Sequence, residues 1–268
     1  VSASETQAQR RAARRSAGPA SGVLGGRYPN PGFGLPLGGT VNLDDFVGSI
    51  AKTDMRTGLH WVIGDVGPGV TVSGVTSTAT ERGIFRMTTA GPVTAGGSAS
   101  LTEGRLEAGV PTYLEWAAKV RSGTGFPNTN VRVWSGYADT ALGDPLTANA
   151  TQFVGVRADP GGAAANWFGV VKDGAGAGNE STVNLGLLFD GTWRILGFTR
   201  TTTGIQFWRG DASRLATHGL MVEDLGAEVT TNLPTVPLVA VGVGIRNTSA
   251  VAHAIDIDIW ADGGPIAR

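Results

Sequence analysis

Residues 189–209, FDGTWRILGFTRTTTGIQFWR, decide the fold class. Within them Trp193, Ile195 and Gly197 alternate with Arg194, Leu196 and Phe198. That is a period of two, the period of a strand, and it is apolar on both sides, so the strand is expected to lie inside a sheet. Asp190-Gly191 before it and Thr203-Gly204 after it are turn pairs, because Gly takes backbone conformations that L residues avoid and Asp bonds its own backbone. The same period recurs along the chain. Leu114, Trp116, Ala118 and Val120 alternate with Tyr113, Glu115, Ala117 and Lys119, and Val131 and Val133 alternate with Arg132 and Trp134. Near the C-terminal end Ile255, Ile257 and Ile259 alternate with Asp256, Asp258 and Trp260. Pro160-Gly161-Gly162 and the Gly-rich run 174–178 supply further turns. No part of residues 41–268 sustains a 3.6-residue apolar period. About ten or more short strands over roughly 230 residues suit two antiparallel sheets packed as a sandwich. The expectation is an all-β protein, a jelly-roll sandwich, preceded by two segments of other character.

Composition agrees and excludes several classes. The 268 residues include 42 Gly, no Cys and three His (His60, His218, His253). Without Cys there is no disulfide framework, no Cys-ligated zinc and no thiol nucleophile. No apolar run approaches the roughly 18–20 residues of a membrane helix, and residues 1–17 lack the apolar core of a secretory signal. A hydrophobic content of 41% with seven Trp argues against disorder. Formal net charge is −1, which argues against nucleic-acid binding by the chain as a whole.

That near-neutrality conceals a contrast. Residues 1–17, VSASETQAQRRAARRSA, carry Arg10, Arg11, Arg14 and Arg15 against Glu5, so this arm is +3 and the remainder −4. Ser2 with Glu5, or Ser4 with Gln7, fits a capping box. Arg10/Arg14 and Arg11/Arg15 are i, i+4 pairs that share one side of a short helix, where their repulsion makes it marginal without a partner. Residues 18–40 hold four Pro and eight Gly, which excludes helix and central strand. Val23, Leu24, Tyr28, Phe33, Leu35 and Leu37 punctuate this stretch, so it reads as an extended strap laid on its own domain or on a sister subunit.

Three segments bear a family resemblance. Residues 189–209 resemble the hairpin of lectin-like (concanavalin A/laminin-G type) jelly rolls. His60-Trp61, Gly83-Ile84-Phe85-Arg86-Met87-Thr88-Thr89 and the stretch Gly96 to Leu101 resemble the opening strands of lectin-like modules in tailed-bacteriophage virion proteins. Thr231-Asn232-Leu233-Pro234, then Gly242-Val243-Gly244-Ile245-Arg246-Asn247-Thr248 and a last alternating strand, complete the match. The resemblance implies a jelly roll in a phage virion, as a capsid decoration or cement protein, a head fibre or a tail-fibre module.

Candidate chemistry is sparse. Ala254 to Asp262 is similar to the E-x-D-x-x-E strand of jelly-roll glucanases, and alternation would put Asp256, Asp258, Asp262 and Trp260 on one face. A retaining glycosidase needs carboxyls about 5–5.5 Å apart, but the leading Glu is Ala254 here, so a solvated strand face that opposes edge pairing is the favoured expectation. No Ser lies in a G-x-S-x-G nucleophile elbow, and His60, His218 and His253 are read as structural. Asp159, Asp173, Asn179 and Glu180 offer oxygen ligands for calcium, yet no calcium-loop pattern is present and turn use is favoured. Arg209-Gly210-Asp211 is turn chemistry, and Asn149, Asn179 and Asn247 are read as turn residues. Parity assigns Trp116 and Trp193 to the core. Trp134, Trp208 and Trp260 are the indoles expected to reach a surface, where they would stack on glycan in the alternative reading. In the leading reading the contact residues are Arg10, Arg11, Arg14, Arg15, Tyr28 and Phe33, which face the major capsid protein or a sister subunit of a dimer or trimer. Arg forks bind carboxylates bidentately, which suits an acidic protein surface. No metal, cofactor or membrane partner is expected, and the expected place is the outer capsid surface.

Overall fold

The computed structural model describes residues 39–44, 55–56, 60–66, 69–75, 83–92, 94–101, 114–123, 131–139, 152–159, 166–174, 177–200, 203–210, 222–236, 238 and 240–265. These residues form β1 (Gly39–Asp44), β2 (Met55–Arg56), β3 (His60–Val66), β4 (Val70–Gly74), β5 (Phe85–Thr89), β6 (Gly96–Leu101), β7 (Leu114–Ser122) and β8 (Val131–Ala138). They continue with β9 (Phe153–Asp159), β10 (Asn166–Lys172), β11 (Glu180–Leu188), β12 (Arg194–Arg200), β13 (Ile205–Gly210), β14 (Val222–Val229), β15 (Ala240–Asn247) and β16 (Ala254–Pro265). A single 3-10 turn, Ala177–Asn179, precedes β11. The arm of residues 1–17 and nearly all of the strap lie outside the described residues; the strap's last two residues, Gly39 and Thr40, belong to β1.

All pairings are antiparallel and make two eight-stranded sheets. The first runs β14-β13-β12-β7-β16-β5-β4, with β1 also paired to β16. The second runs β11-β10-β9-β8-β15-β6-β3-β2. The two-sheet jelly-roll sandwich is as expected, and so is the interior position of the strand that opened the argument. β12 lies between β13 and β7, and Ile195, Leu196, Gly197 and Phe198 are all buried. β12 and β13 pair antiparallel, with Phe198 opposite Phe207.

The core lies between the sheets. Phe85, Met87, Val120, Leu196, Phe198, Phe207, Ile255 and Ile257 come from the first; Val133, Tyr137, Val154, Val156, Trp167, Val243 and Ile245 come from the second. Each large apolar side chain taken out of water stabilises by about 1.5–3 kcal/mol. The aromatic contacts are edge-to-face: Phe198 meets Tyr137 at 6.1 Å and Phe207 at 6.0 Å between ring centroids. Gly169 of the second sheet seats the Phe207 ring, since a Cβ there would come within 2.5 Å of it.

A latch joins the sheets at one end. Thr89 Oγ1, at the end of β5, donates to Asn247 Oδ1 at 2.6 Å and accepts from the His253 N–H at 2.9 Å. Asn247 Nδ2 donates to the Ala90 carbonyl at 2.7 Å. Asn247 is therefore a buried structural residue. Among the described residues no helix is long and apolar enough to cross a membrane.

Candidate functional site

Strand β16 carries the carboxylates that sequence reading singled out, and its place in the sheet sets their chemistry. It is not an edge. β7 flanks its length, while β5 covers residues 254–257 and β1 covers residues 260–265 on the other side. Asp256 is 0% and Asp258 1% exposed. The expected solvated strand face is thus corrected to a buried one. The expected common face fails as well. A register shift between Ile257 and Ile259 makes Ile257 oppose Val120 but Ile259 oppose Lys119, which puts Trp260 opposite Ala118 and Asp262 opposite Trp116. A bulge breaks the period of two, so positions 260 and 262 no longer share the side of Asp256.

A buried carboxylate requires a partner, and Asp256 has two. Arg86 of β5 donates to it through Nε, 2.6 Å from Oδ1, and Nη2, 2.7 Å from Oδ2. Arg121 of β7 donates through Nε, 3.0 Å from Oδ2. The register demands this arrangement, since Asp256 lies directly opposite Arg86 on one side and Arg121 on the other. Arg121 in turn lies 4.2 Å from the ring of Trp193, and Ser73 of β4 lies opposite Arg86. The result is one lateral row on the outer face of the first sheet: Trp193, Arg121, Asp256, Arg86, Ser73. Gly123 makes room for it, because a Cβ there would stand 2.7 Å from Asp256 Oδ1 and 3.1 Å from Arg86 Nε. The hydrogen bonds to Asp256 raise the Arg86 pKa above its ordinary value; partial burial opposes this and the carboxylate's charge adds to it. With three charge-assisted donors on its oxygens, Asp256 is fully committed as a structural anion.

The tryptophans do not form an open platform. Trp134 is fully buried and Trp208 is 4% exposed, which corrects the expectation that both reach a surface. Trp134 does point away from the main core, as parity requires. It joins Ala138, Phe153 and Val170 in a second buried cluster on the other side of the second sheet, with Phe168 packed against it. Its ring lies flat on Gly244, where a Cβ would come within 2.2 Å of Cε2 and Cζ2. Trp208 donates from Nε1 to Thr199 Oγ1 at 3.2 Å. Trp193, read as core, is instead half-buried under Arg121. Trp260 is in β16, and Arg10, Arg11, Arg14, Arg15, Tyr28 and Phe33 lie outside the described residues.

The oxygen-bearing loop residues are not brought together as a ligand set, and Asp173 Oδ1 is buried without a hydrogen-bond partner among the described residues. Glu180 is paired with Arg157 at 2.9 Å, and the Asp173 N–H donates to the Asn179 carbonyl at 3.1 Å across the 3-10 turn. Among the described residues no group of three or more His, Asp or Glu is placed to hold a metal ion. His253 is buried, and burial holds its pKa below the ordinary imidazole value.

Sequence reading missed Arg86 and Arg121. The only local signal is a single charged residue between Phe85 and Met87 in an otherwise apolar alternation. That signal gives no partner, because Asp256 is 170 residues away in the chain.

No family model matches the chain, and no curated protein matches its sequence. Solved structures share its fold. A protein of unknown function from Shewanella oneidensis MR-1 is 16% identical, with 89% of this chain and 98% of that one covered at a TM-score of 0.58. The CBM2 module of the evolved Dit of Lactobacillus casei BL23 phage J-1 is 12% identical over 87% and 100% of the two chains, with a TM-score of 0.52. A β-glucanase of Bacillus licheniformis is 12% identical over 85% and 99%, with a TM-score of 0.50. At these identities the likeness is one of fold, shared by an enzyme and a phage module alike.

Proposed function

We propose that the chain is a non-enzymatic structural protein of a tailed-bacteriophage particle. Its role is capsid decoration or cementing: it sits on the outer capsid surface and bridges major capsid subunits. The observation that carries the non-enzymatic reading is the state of Asp256. A glycosidase carboxylate must reach a sugar and gain a proton or attack the anomeric carbon, whereas Asp256 is sealed in a sheet and saturated by Arg86 and Arg121. The phage setting draws support from the opening-strand and hairpin motifs of the sequence and from the phage Dit module of the same fold.

In this reading the basic arm is the anchor. Arg10, Arg11, Arg14 and Arg15 fold against acidic capsid side chains, and Tyr28 and Phe33 of the strap bury apolar area on the capsid or on a sister subunit. A fibre module that recognises host-surface glycan is the other reading. It needs exposed indoles, and the burial of Trp134 and Trp208 weighs against it. The test is co-sedimentation of the full chain with purified empty capsids, followed by electron microscopy of the particles. The chain with all four arm arginines changed to Gln should lose at least tenfold in affinity. Equal binding by that variant would remove the anchoring role.

A further inference from the structure

Strand β4 closes one end of the first sheet, and among the described residues no strand lies beyond it. Its pairing with β5 fixes which backbone groups face outward. The register is constant, from Val70 opposite Thr89 to Gly74 opposite Phe85. Just past the two ends, the Ala90 N–H donates to the Gly69 carbonyl at 3.1 Å and the Val75 N–H to the Ile84 carbonyl at 2.9 Å. Bonded and non-bonded residues alternate along an antiparallel pair. Gly69, Thr71, Ser73 and Val75 therefore turn their N–H and C=O toward β5, and Val70, Val72 and Gly74 turn theirs away. Asp65 Oδ1 takes the Val70 N–H at 3.0 Å. The N–H and C=O groups of Val72 and Gly74 point past the sheet edge, where Gly74 is exposed and Val72 half-buried.

An open edge of this kind invites pairing, and proteins usually blunt it with charge, bulges or brevity. The other strands at the ends of the two sheets are blunted. β14 carries Glu223, Asp224 and Glu228. β11 has a register shift and a positive φ at Gly186, whose N–H is held by Asn184 Oδ1 at 2.8 Å. β2 has two residues. At β4 there is no such device beyond Asp65, since residues 66–80 carry no charged side chain.

We propose that β4 is a self-association edge, paired antiparallel with β4 of a second copy about a two-fold axis at Ser73. This axis sets Val72 opposite Gly74 of the other copy, so the outward N–H and C=O groups of both residues are bonded in both copies. The contact is isologous and closes at a dimer. Ser73 then faces Ser73 across the axis and Thr71 faces Val75, with small side chains at each position. Arg86, opposite Ser73 on β5, is tied to Asp256. The inference goes beyond the capsid reading and does not depend on it.

The test is sedimentation equilibrium of the full chain over a concentration series, and a reversible monomer–dimer equilibrium is expected. Ser73→Lys and Ser73→Glu each put like charges face to face across the axis, at a position that is exposed in the single chain. Each should weaken dimerisation at least tenfold. An equimolar mixture of the two should recover it as a heterodimer, which a misfolded variant would not do. Val72→Pro deletes an outward N–H and none of the bonds to β5; it should weaken dimerisation at least tenfold and gain nothing from either Ser73 variant. A chain that stays monomeric, a trimer, a dimer indifferent to all three substitutions, or loss in both Ser73 variants without recovery on mixing overturns the proposal. A β4-dependent dimer that does not sediment with capsids refutes only the capsid reading.

Discussion

Replacing Asp256 with Asn should destabilise the protein far more than a surface charge change. The variant keeps the volume and removes the charge on which two guanidiniums converge, and its Nδ2 donors face guanidinium donors. Removal of one member of a buried ion pair costs about 3–5 kcal/mol, mainly through the charge left behind. Here the charges left behind are Arg86 and Arg121, which are 31% and 20% exposed and can regain part of their hydration. The expected loss is therefore smaller, about 2–3 kcal/mol. At about 2–4 °C per kcal/mol for a chain of this size, the melting midpoint should drop by roughly 5–10 °C. Urea unfolding followed by tryptophan fluorescence measures the loss, with Asp224→Asn at an exposed position of β14 as the control. A difference between the two variants below about 0.5 kcal/mol, the usual effect of a surface substitution, would show that the clamp does not hold β5, β16 and β7 together and would refute the reasoning.

Other substitutions probe the packing and the latch. Gly244→Ala should cost about 1–3 kcal/mol by urea unfolding, because the new Cβ meets the Trp134 ring at 2.2 Å and must displace it. Trp134→Ala should cost about 3–5 kcal/mol, the scale of a core aromatic, and leave any response on a glycan array unchanged; a lost glycan signal would restore Trp134 as a ligand contact. For His253 the sign follows from burial, which lowers its folded pKa beneath the ordinary imidazole value of about 6.5. The unfolded chain then binds more protons, so this residue's contribution is fully present above about pH 6.5 and is lost as pH falls from there toward the folded pKa. His253→Gln should flatten the stability-versus-pH curve below about pH 6.5 relative to the native chain, and parallel curves would contradict it.

How far the sequence reveals this molecule can be judged from particular residues. Ile195, Leu196 and Phe198 alternate within a strand flanked by turn pairs, and that pattern is enough to place the strand inside a sheet, because burial on both sides leaves a local trace. Trp134 shows where parity stops. Alternation correctly turns it away from Val131 and Val133, yet this second face is buried too, and no local rule says whether a face is covered. Trp260 and Asp262 show a different gap. A one-residue bulge at Asp258 moves them off the side of Asp256, and a bulge is fixed by the pairing of β16 with β7 rather than by β16 alone. The candidate site was half legible: Asp256 drew attention as a carboxylate in an apolar strand, while Arg86 and Arg121 did not.

The sequence by itself determined the all-β class, the turn at Asp190-Gly191, the contrast in charge between a basic first 17 residues and an acidic remainder, and the absence of thiol chemistry. These follow from composition and near-neighbour sterics, which need no folded context. The tertiary structure decided that β16 is interior and that Asp256 is a saturated anion rather than an available carboxylate. It also decided that Trp134 is packed rather than presented. Each of these depends on strands far apart in the chain coming into register, and the energy of a buried charge or ring is set by what lies beside it in space.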